Sequence, residues 1–317
     1  MVALPQTVSP TIAAIEAAVE AAEPRDFDAV IRASSIGHPC DRHLWYRFRW
    51  AHMPEQFDGR KLRLFHTGHA EEARMIAWLR MAGVAVQDVD PATGEQWEVV
   101  AVDGHLKGHL DGIATGILEA PVTPHLLECK THNQKSFDQL KRHGVAVAKP
   151  EHVAQMQVYM HLAGLSRAFY LAKHKDSDEL YAERIHYDTA AALALMAKAE
   201  RIKEANAAPP RISDDPEFFQ CRWCPSRAIC HGGQPALRNC RTCIYASPVS
   251  GGQWDCAFHD RLLTPADQRA GCPYHLYLPS LVPGEQIDVD ETAETVTYRM
   301  PDGSTWVDGA HREGRAA

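Results

Sequence analysis

Apolar and polar positions divide the first two thirds of the chain into helices and strands. Apolar residues at helical spacing predict helices, and short runs of β-branched and aromatic residues predict strands. The predicted helices are Pro10–Ala22 and residues 40–50, 65–83, 150–163 and 189–206. The predicted strands are residues 95–102, 105–115 and 124–131, followed by a hairpin of residues 167–174 and 180–187. This order predicts an α/β core of about 150 residues.

Turn-forming residues help to place the element ends. Ser34 and Ser35 are predicted to cap the helix over residues 40–50, and Gly83 is predicted to end the next one. Residues 287–309 read as a hairpin that turns at Pro301, Asp302 and Gly303. Residues 311–317 are polar and terminal, so we expect a disordered tail there.

Composition excludes several classes of protein. The 317 residues are 45% hydrophobic and 23% charged, which is ordinary for a globular chain. No apolar run reaches the roughly 18 residues of a membrane span, and the N-terminus lacks the basic start of a secretory signal. We therefore expect a cytoplasmic protein, from a bacterium or a phage-infected host. The net charge of −8 means that any nucleic-acid contact must be local.

One basic and aromatic stretch, residues 32–63, is a candidate for such a contact. Basic side chains follow a phosphate backbone, and aromatic rings stack on bases. The candidate DNA-binding residues here are Arg42, Trp45, Tyr46 and Arg47. An ordinary helix with a buried aromatic face explains the pattern equally well.

Acidic residues stand on two predicted strands. Asp111 lies in GHLDG, and Glu128 and Lys130 lie in LLECKT. Because strand side chains alternate, Glu128 and Lys130 share one face and Cys129 takes the other. Carboxylates of this kind can bind Mg²⁺ or Mn²⁺, and Lys130 could assist an attacking water. The alternative is a structural Glu–Lys ion pair beside a turn.

Neighbouring predicted helices carry three further candidates. Glu72, in GHAEE, could complete a metal site, with Glu71 as a close competitor and His69 as another group able to touch metal or DNA. Gln155 and Tyr159 are four residues apart and share one helical face, which could hold a DNA phosphate or end. Taken singly, Tyr159 is explained as a core aromatic residue and Glu72 as a solvated charge.

Nine cysteines without a secretory signal favour metal binding over disulfides. Cys221, Cys224 and Cys230 form a C-x2-C-x5-C set that needs a fourth ligand. A second set has the spacing C-x2-C-x12-C-x15-C in a segment too small to fold by its own core, which predicts a structural zinc site. Its expected ligands are Cys240, Cys243, Cys256 and Cys272, with His275 or His259 as substitutes.

The series GHAEE, GHLDG, LLECK and Gln155-x3-Tyr159 resembles the RecB-type branch of the PD-(D/E)XK nucleases, over about residues 33–235. The resemblance implies a restriction-endonuclease-like core, a central mixed sheet flanked by helices. It implies metal binding by Glu72, Asp111, Glu128 and the backbone carbonyl of Cys129, with Lys130, Gln155 and Tyr159 in catalysis. The chain departs from the family at Leu110, where the family name has proline.

Some members of this branch hold a [4Fe–4S] cluster between one N-terminal cysteine and three near the end of the nuclease domain. Among them are the CRISPR-associated RecB-like exonucleases and the AddB nuclease. By this resemblance Cys40, in SSIGHPCDRHLWY, is the fourth ligand of the Cys221, Cys224 and Cys230 set. The spacing of the three cysteines alone would also fit zinc.

The expected organisation is an N-terminal helical extension (1–32), a RecB-like nuclease domain (33–235), a four-cysteine zinc unit (236–284) and a C-terminal hairpin and tail (285–317). The expected function is a metal-dependent DNA exonuclease acting on single strands or free ends in phage-type recombination or repair, with a recombination protein among its candidate partners. The alternatives are a DNA-binding recombination scaffold with an inactive core and a redox-responsive iron–sulfur protein.

Overall fold

The computed structural model describes residues 9–23 and 26–309. The helices are α1 (Pro10–Ala22), α2 (Asp41–Phe48), α3 (Gly59–Met81), α4 (Gln134–Ala148), α5 (Pro150–Ala163), α6 (Thr189–Glu204), α7 (Phe219–Arg222), α8 (Arg227–Cys230) and α9 (Pro265–Ala270). The first eight strands are β1 (Ile31–Arg32), β2 (Ala85–Gln87), β3 (Glu98–Ala101), β4 (Leu106–His109), β5 (Gly112–Thr115), β6 (His125–His132), β7 (Arg167–His174) and β8 (Leu180–His186). The remaining strands are β9 (Ala246–Val249), β10 (Gln253–Cys256), β11 (Arg261–Leu263), β12 (Glu285–Asp290), β13 (Thr295–Arg299) and β14 (Thr305–Asp308).

A mixed five-stranded sheet in the order β2-β5-β6-β7-β8 forms the centre of the fold. Only β6 and β7 run parallel in it, and α4 and α5 make the crossover that a parallel pair requires. On one face, Met75 and Ile76 of α3 pack with Leu127 and Cys129. On the other, Leu126 packs with Met156 of α5 in the main core. This confirms the predicted α/β fold with a helix-flanked mixed sheet.

Several predicted elements have different limits in the structure. The stretch over residues 105–115 is two strands, β4 and β5, because the chain passes from a small sheet (β1-β4-β3) to the central one. α2 begins after Cys40, so Ser34 and Ser35 do not cap it. α3 begins at Gly59, where the Asp58 side chain accepts a hydrogen bond from the Lys61 amide and so starts the helix six residues before the predicted position.

The prediction missed α4 altogether. The Asn133 side chain caps this helix by accepting from the Ser136 amide, but Gly144 interrupts it with a φ of 72°. Because glycine and proline usually mark turns, Gly144 and the nearby Pro150 concealed the helical pattern of this segment. The prediction of a C-terminal hairpin was also incomplete, because β12, β13 and β14 form a three-stranded antiparallel sheet. The predicted tail over residues 311–317 lies outside the described residues.

The four-cysteine unit of residues 236–284 is docked tightly on the main core. The guanidinium of Arg241 donates to the Phe48 carbonyl at 3.0 Å and lies 3.8 Å from the ring centre of Trp50. Gly104, at a φ of 88°, approaches Gly252 so closely that a Cβ atom would stand 2.5 Å from the Gly252 nitrogen. The segment therefore braces the turn before β4. No helix among the described residues has the length and hydropathy of a membrane span.

Candidate active site

A cleft of about 1490 Å³ opens between α3, β4 and the carboxyl-terminal half of β6. It collects most of the catalytic residues predicted from the sequence, although they come from four separate elements. The predicted residues that line it are Glu72, Asp111, Cys129, Lys130, Gln155 and Tyr159. Glu128 lies just beneath this surface and is fully buried.

Glu128 and Lys130 form a buried ion pair on β6, on the face directed at α5 as predicted. The Glu128 side chain has no exposed surface, whereas that of Lys130 keeps 29% exposed. Gln155 donates from Nε2 to Glu128 Oε2 at 3.3 Å. Burial raises the pKa of Glu128 and the Lys130 ammonium opposes this rise. Burial alone would lower the pKa of Lys130, but Glu128 and Asp111 raise it above its usual value, so Lys130 stays charged.

Asp111 stands where the chain leaves β4 and enters β5. Its Oδ2 accepts a hydrogen bond from the Cys129 amide at 2.7 Å, which joins it to the centre of β6. Gly112 follows at a φ of 154°, and a Cβ there would come within 3.0 Å of the Gln87 carbonyl oxygen, so this bend requires glycine. Burial raises the pKa of Asp111, and Lys130, the Cys129 amide and His69 lower it. Gly112 pairs with Leu127 in the antiparallel β5–β6 pair, so Asp111 falls opposite Glu128 and the two carboxylates share one face of the sheet.

Glu72 faces these two carboxylates from α3. Burial and then the charge of Asp111 raise the pKa of Glu72 to about 7. Its neighbour Glu71 is held elsewhere, by Arg74 at 2.8 Å and by Lys173 at 3.1 Å. Of the two adjacent glutamates, Glu72 is thus the one in the cleft, as predicted. His69 also lines the cleft.

Tyr159 stands one helical turn after Gln155 on α5 and forms the floor of the cleft. Tyr159 is 2% exposed. A Cβ on Gly108 would lie 2.4 Å from its ring, so β4 can lie this close to Tyr159 only with glycine at position 108. Burial and the nearby Glu128 raise the pKa of the Tyr159 phenol, which keeps the hydroxyl protonated. A protonated phenol can donate a hydrogen bond to an anionic substrate.

A cluster of hydrogen-bonded polar side chains next to the Glu128–Lys130 pair was not predicted from the sequence. The Tyr170 hydroxyl lies 2.9 Å from His132 Nε2 and 2.9 Å from His152 Nδ1, and the other ring nitrogen of His132 lies 2.9 Å from Ser136 Oγ. Tyr170 pairs in register with Glu128 across β6 and β7, so it stands beside the ion pair. Burial lowers the pKa of His132 to about 4 and that of His152 to about 3, so both rings are neutral. No spacing signal in the sequence marks this group, because His132, Tyr170 and His152 come from β6, β7 and α5.

The donor set around this cleft suits a hard divalent cation. Three carboxylates face one another. Burial raises the pKa of all three, and repulsion from neighbouring carboxylates adds to the rise at Glu72 and Glu128, which a bound cation would reverse. Within the described residues, no three His, Cys, Asp or Glu side chains already stand close enough to coordinate one ion. Side-chain rotations would be needed at the carboxylates and at both cysteine sets.

The residues surrounding the acidic centre are basic. Cations from β1, α3, β4, β6 and the turn after β7 line the cleft and outnumber the carboxylates in its lining. They are Arg32, Arg60, Lys61, Lys107, Lys130 and Lys175, against Asp58, Glu72, Asp88 and Asp111. Three of these cations also pair with carboxylates outside the lining, Arg32 with Asp28, Lys61 with Glu55 and Lys107 with Glu98, which neutralises part of this local excess. In a chain of net charge −8, the rest would attract a polyanion to the carboxylates.

The structure corrects the predicted DNA-binding helix. Trp45 is 0% and Tyr46 1% exposed, so neither ring can stack on a base. Arg42 donates to the Tyr46 hydroxyl and the Pro209 carbonyl, and Arg47 pairs with Asp28. The aromatic face of α2 is a core face, which is the alternative that the sequence left open. Half of the cations that line the cleft come from α3 and β4 instead, and none from α2.

Cys40 and the Cys221, Cys224 and Cys230 set line one small cavity, although they are far apart in sequence. His43 Nδ1 and Ser226 Oγ, 183 positions apart, lie 2.8 Å from each other at its edge. Burial and the neighbouring Cys230 and Cys40 raise the pKa of Cys221. Burial raises the pKa of Cys224 as well, with Cys40 and Cys230 adding to the rise. Four converging thiols of this kind fit a metal or cluster that would stabilise the thiolates.

The second cysteine set also converges. Burial and then Cys272, Cys243 and Cys256 raise the pKa of Cys240 to about 12. His275 is instead buried beside Thr242, with Nε2 3.1 Å from the threonine hydroxyl, and its ring packs on Tyr277. The environment therefore favours the all-cysteine ligand set over His275.

Comparison with known proteins agrees with this geometry. The profile of the PD-(D/E)XK nuclease superfamily matches residues 4–231. A search of curated proteins found no match. Among solved structures, an alkaline exonuclease from Laribacter hongkongensis is 16% identical, with a TM-score of 0.39, over 60% of this chain and 90% of that one. The same exonuclease in complex with dAMP is 18% identical, with a TM-score of 0.39, over 55% and 86%. Since the profile matches well over half of the sequence, this chain belongs to the PD-(D/E)XK nuclease superfamily.

Proposed function

We propose that this protein is a divalent-metal-dependent DNA exonuclease of the RecB-like type. The convergence of Glu72, Asp111, Glu128 and Lys130 at a cleft with a basic lining supports the proposal most directly. A buried carboxylate cluster is costly for a fold and is retained mainly where it binds a cation. The excess of cations around it suits the phosphate backbone of DNA.

The metal ligands in this proposal are the carboxylates of Glu72, Asp111 and Glu128 and the backbone carbonyl of Cys129. When bound, Mg²⁺ or Mn²⁺ would activate a water and neutralise phosphate charge. The ammonium of Lys130 stabilises the negative charge that develops on the phosphate, since it lies at the cleft surface and stays protonated. Glu128 holds Lys130 in place, Gln155 holds Glu128, and Tyr159 donates to the substrate strand.

The two cysteine sets have structural roles in the proposal. Cys40, Cys221, Cys224 and Cys230 hold a [4Fe–4S] cluster that fastens the start of α2 to the segment after α6. Cys240, Cys243, Cys256 and Cys272 hold zinc in the unit of residues 236–284. The contacts of Arg241 and Gly252 with the core support a bracing role for that unit in place of an independent one. A setting in recombination or repair, with a partner protein, is part of the same proposal.

Digestion of matched DNA substrates tests the activity. End-labelled linear DNA should be degraded with Mg²⁺ or Mn²⁺ and stay intact with a chelator, while covalently closed circular DNA should resist. The order in which label is released gives the direction of cleavage. Equal cutting of circular and linear DNA would replace exonuclease with endonuclease, and no metal-dependent cutting of either would remove the proposed function.

The raised pKa of Glu72 predicts a pH-dependent stability of the metal-free protein. A carboxyl whose pKa is about 7 when folded and near 4.5 when unfolded stabilises the fold below about pH 4.5. That stability is lost as the pH rises to about 7. We therefore expect the melting temperature of the wild type to fall relative to Glu72→Gln between about pH 5 and pH 8.

Thermal melts of the two proteins in chelator, pH by pH, measure this difference. The comparison cancels the buried histidines, whose lowered pKa values act in the opposite sense in both proteins. Adding Mg²⁺ should raise the melting temperature of the wild type more at pH 8 than at pH 5, because the carboxylates are then ionised. Parallel pH curves for wild type and Glu72→Gln would contradict the prediction.

A further inference from the structure

The cleft-facing side of α3 carries an apolar patch between its cations and its catalytic carboxylate. Lys61, Leu64, Phe65, Gly68 and Glu72 follow one another at intervals of one to four residues and all line the cleft. Residues three and four apart share a helical face, so these side chains form one continuous stripe. The stripe runs from the cationic end of the cleft to the metal ligands.

Leu64 and Phe65 keep a large part of their apolar side chains open to solvent in the cleft. Leu64 is 43% and Phe65 42% exposed. The Phe65 ring is braced edge-on by Phe57, with 5.1 Å between ring centres, and the Lys61 ammonium lies 4.1 Å from the Phe57 ring. Phe65 is therefore held in position while a large part of it faces the cleft.

Gly68 lies between Phe65 and Glu72 and has no packing reason to be glycine. A Cβ there would meet nothing within 4 Å. Glycine inside a helix destabilises it relative to alanine, so its presence at an open position needs another explanation. Without a side chain at Gly68, the stripe leaves a gap through which a substrate backbone can pass toward Glu72.

We propose that Phe65, flanked by Leu64, is a stacking platform for an unpaired base of the substrate strand, which makes single-stranded DNA the preferred occupant of this cleft. This rests on the proposed function, because the cleft must first bind DNA. In duplex DNA the faces of a base are covered by its neighbours, whereas in a single strand they are free to stack on an aromatic ring. The cations Arg60 and Lys61 at the same end match the phosphates of that strand.

The helix geometry places the stacked base. Seven residues separate Phe65 from Glu72, which is about 10 Å along an α-helix. Stacked nucleotides rise about 3.4 Å each, so the base on Phe65 lies about three nucleotides from the phosphate beside Glu72. Only an oligonucleotide that reaches this far from the cleaved bond should benefit from the platform.

Measurements of DNA binding under conditions that prevent cleavage test the stacking platform at Phe65. In chelator, fluorescence anisotropy with labelled single-stranded oligonucleotides should show affinity about tenfold weaker for Phe65→Ala, the loss expected for one stacked base. Phe65→Trp should restore it, and blunt duplex affinity should change less than about twofold on the same scale. Phe219→Ala is the matched control, since Phe219 is 70% exposed and does not line the cleft.

Oligonucleotides with a single abasic site locate the contact. An abasic site about three nucleotides from the cleaved bond should weaken wild-type binding and leave Phe65→Ala binding unchanged. Gly68→Leu, at an open helical position that tolerates a side chain, should fold normally and weaken single-strand binding by obstructing the gap. Wild-type affinity in Phe65→Ala, or equal losses for single-stranded and duplex DNA, would overturn the proposal.

Failure of the stacking platform can be distinguished from failure of the proposed nuclease function. If Asp111→Ala still cleaves DNA, the assigned catalytic site is wrong while the binding comparison remains valid. If cleavage depends on Asp111 but Phe65→Ala binds single strands normally, the nuclease stands and the platform is wrong.

Discussion

Lys130→Ala and Asp111→Ala should each lower the rate of DNA cleavage by at least about a hundredfold, the scale seen when a group that stabilises transition-state charge is removed. Lys130 supplies the positive charge paired with the fully buried Glu128, and Asp111 joins the cluster to the Cys129 amide. Initial rates on linear DNA at saturating Mg²⁺ measure the loss. Lys141→Ala, which removes an exposed lysine paired with Glu179, is the matched control and should keep wild-type activity.

Stability must be separated from catalysis in this test, because Lys130→Ala leaves the fully buried Glu128 without its cation. Removing one partner of a buried ion pair costs about 3–5 kcal/mol. The double variant Glu128→Gln with Lys130→Met removes both charges and should recover most of that stability without recovering activity. If both Asp111→Ala and Lys130→Ala cleave as fast as the wild type, this site is not the nuclease site.

Cys40→Ser should abolish iron binding and cause the largest loss of stability. Protein purified without oxygen should be brown and hold about four iron atoms per chain, with broad visible absorption, and the variant should be colourless. A link that closes a loop of well over 100 residues is worth on the order of 5 kcal/mol by the loop-closure argument. Chemical denaturation of wild type and variant under anaerobic conditions measures that difference.

Cys129→Ala is the control for metal content, since Cys129 packs with Met75 on the face of the sheet away from both cysteine sets. It should keep full iron and zinc. Cys256→Ser should lose zinc and retain iron, which separates the two sets. Colourless wild-type protein with about two zinc ions per chain would show that the first set binds zinc instead.

Much of the site was predictable because its signals are local. The alternation of Glu128, Cys129 and Lys130 on one strand and the four-residue spacing of Gln155 and Tyr159 follow from backbone periodicity alone. The limits of α1 and α5 were predicted correctly, since Pro10 and Pro150 begin these helices and Gly164 ends α5 in a left-handed conformation. Such features need no knowledge of distant residues.

Which side chains are buried could not be predicted from local spacing in the same way. Trp45 and Tyr46 look like a nucleic-acid surface in the sequence, yet both are enclosed by the core, because which face of α2 is covered depends on α6 and the four-cysteine unit. The choice between Glu71 and Glu72 likewise depended on Lys173, which β7 brings beside α3. The His132, Tyr170 and His152 contacts join three separate elements and carry no spacing signal.

The sequence by itself determined the α/β class, the shared face of Glu128 and Lys130 on one strand and the two groups of cysteines, since each follows from periodicity or spacing along the chain. Only the tertiary structure decided that Asp111 hydrogen-bonds to the centre of β6, that Cys40 meets Cys221, Cys224 and Cys230, and that α3 supplies the exposed wall of the cleft. The physical reason is that burial, charge coupling and cleft shape depend on packing between segments distant in sequence, which local periodicity does not specify.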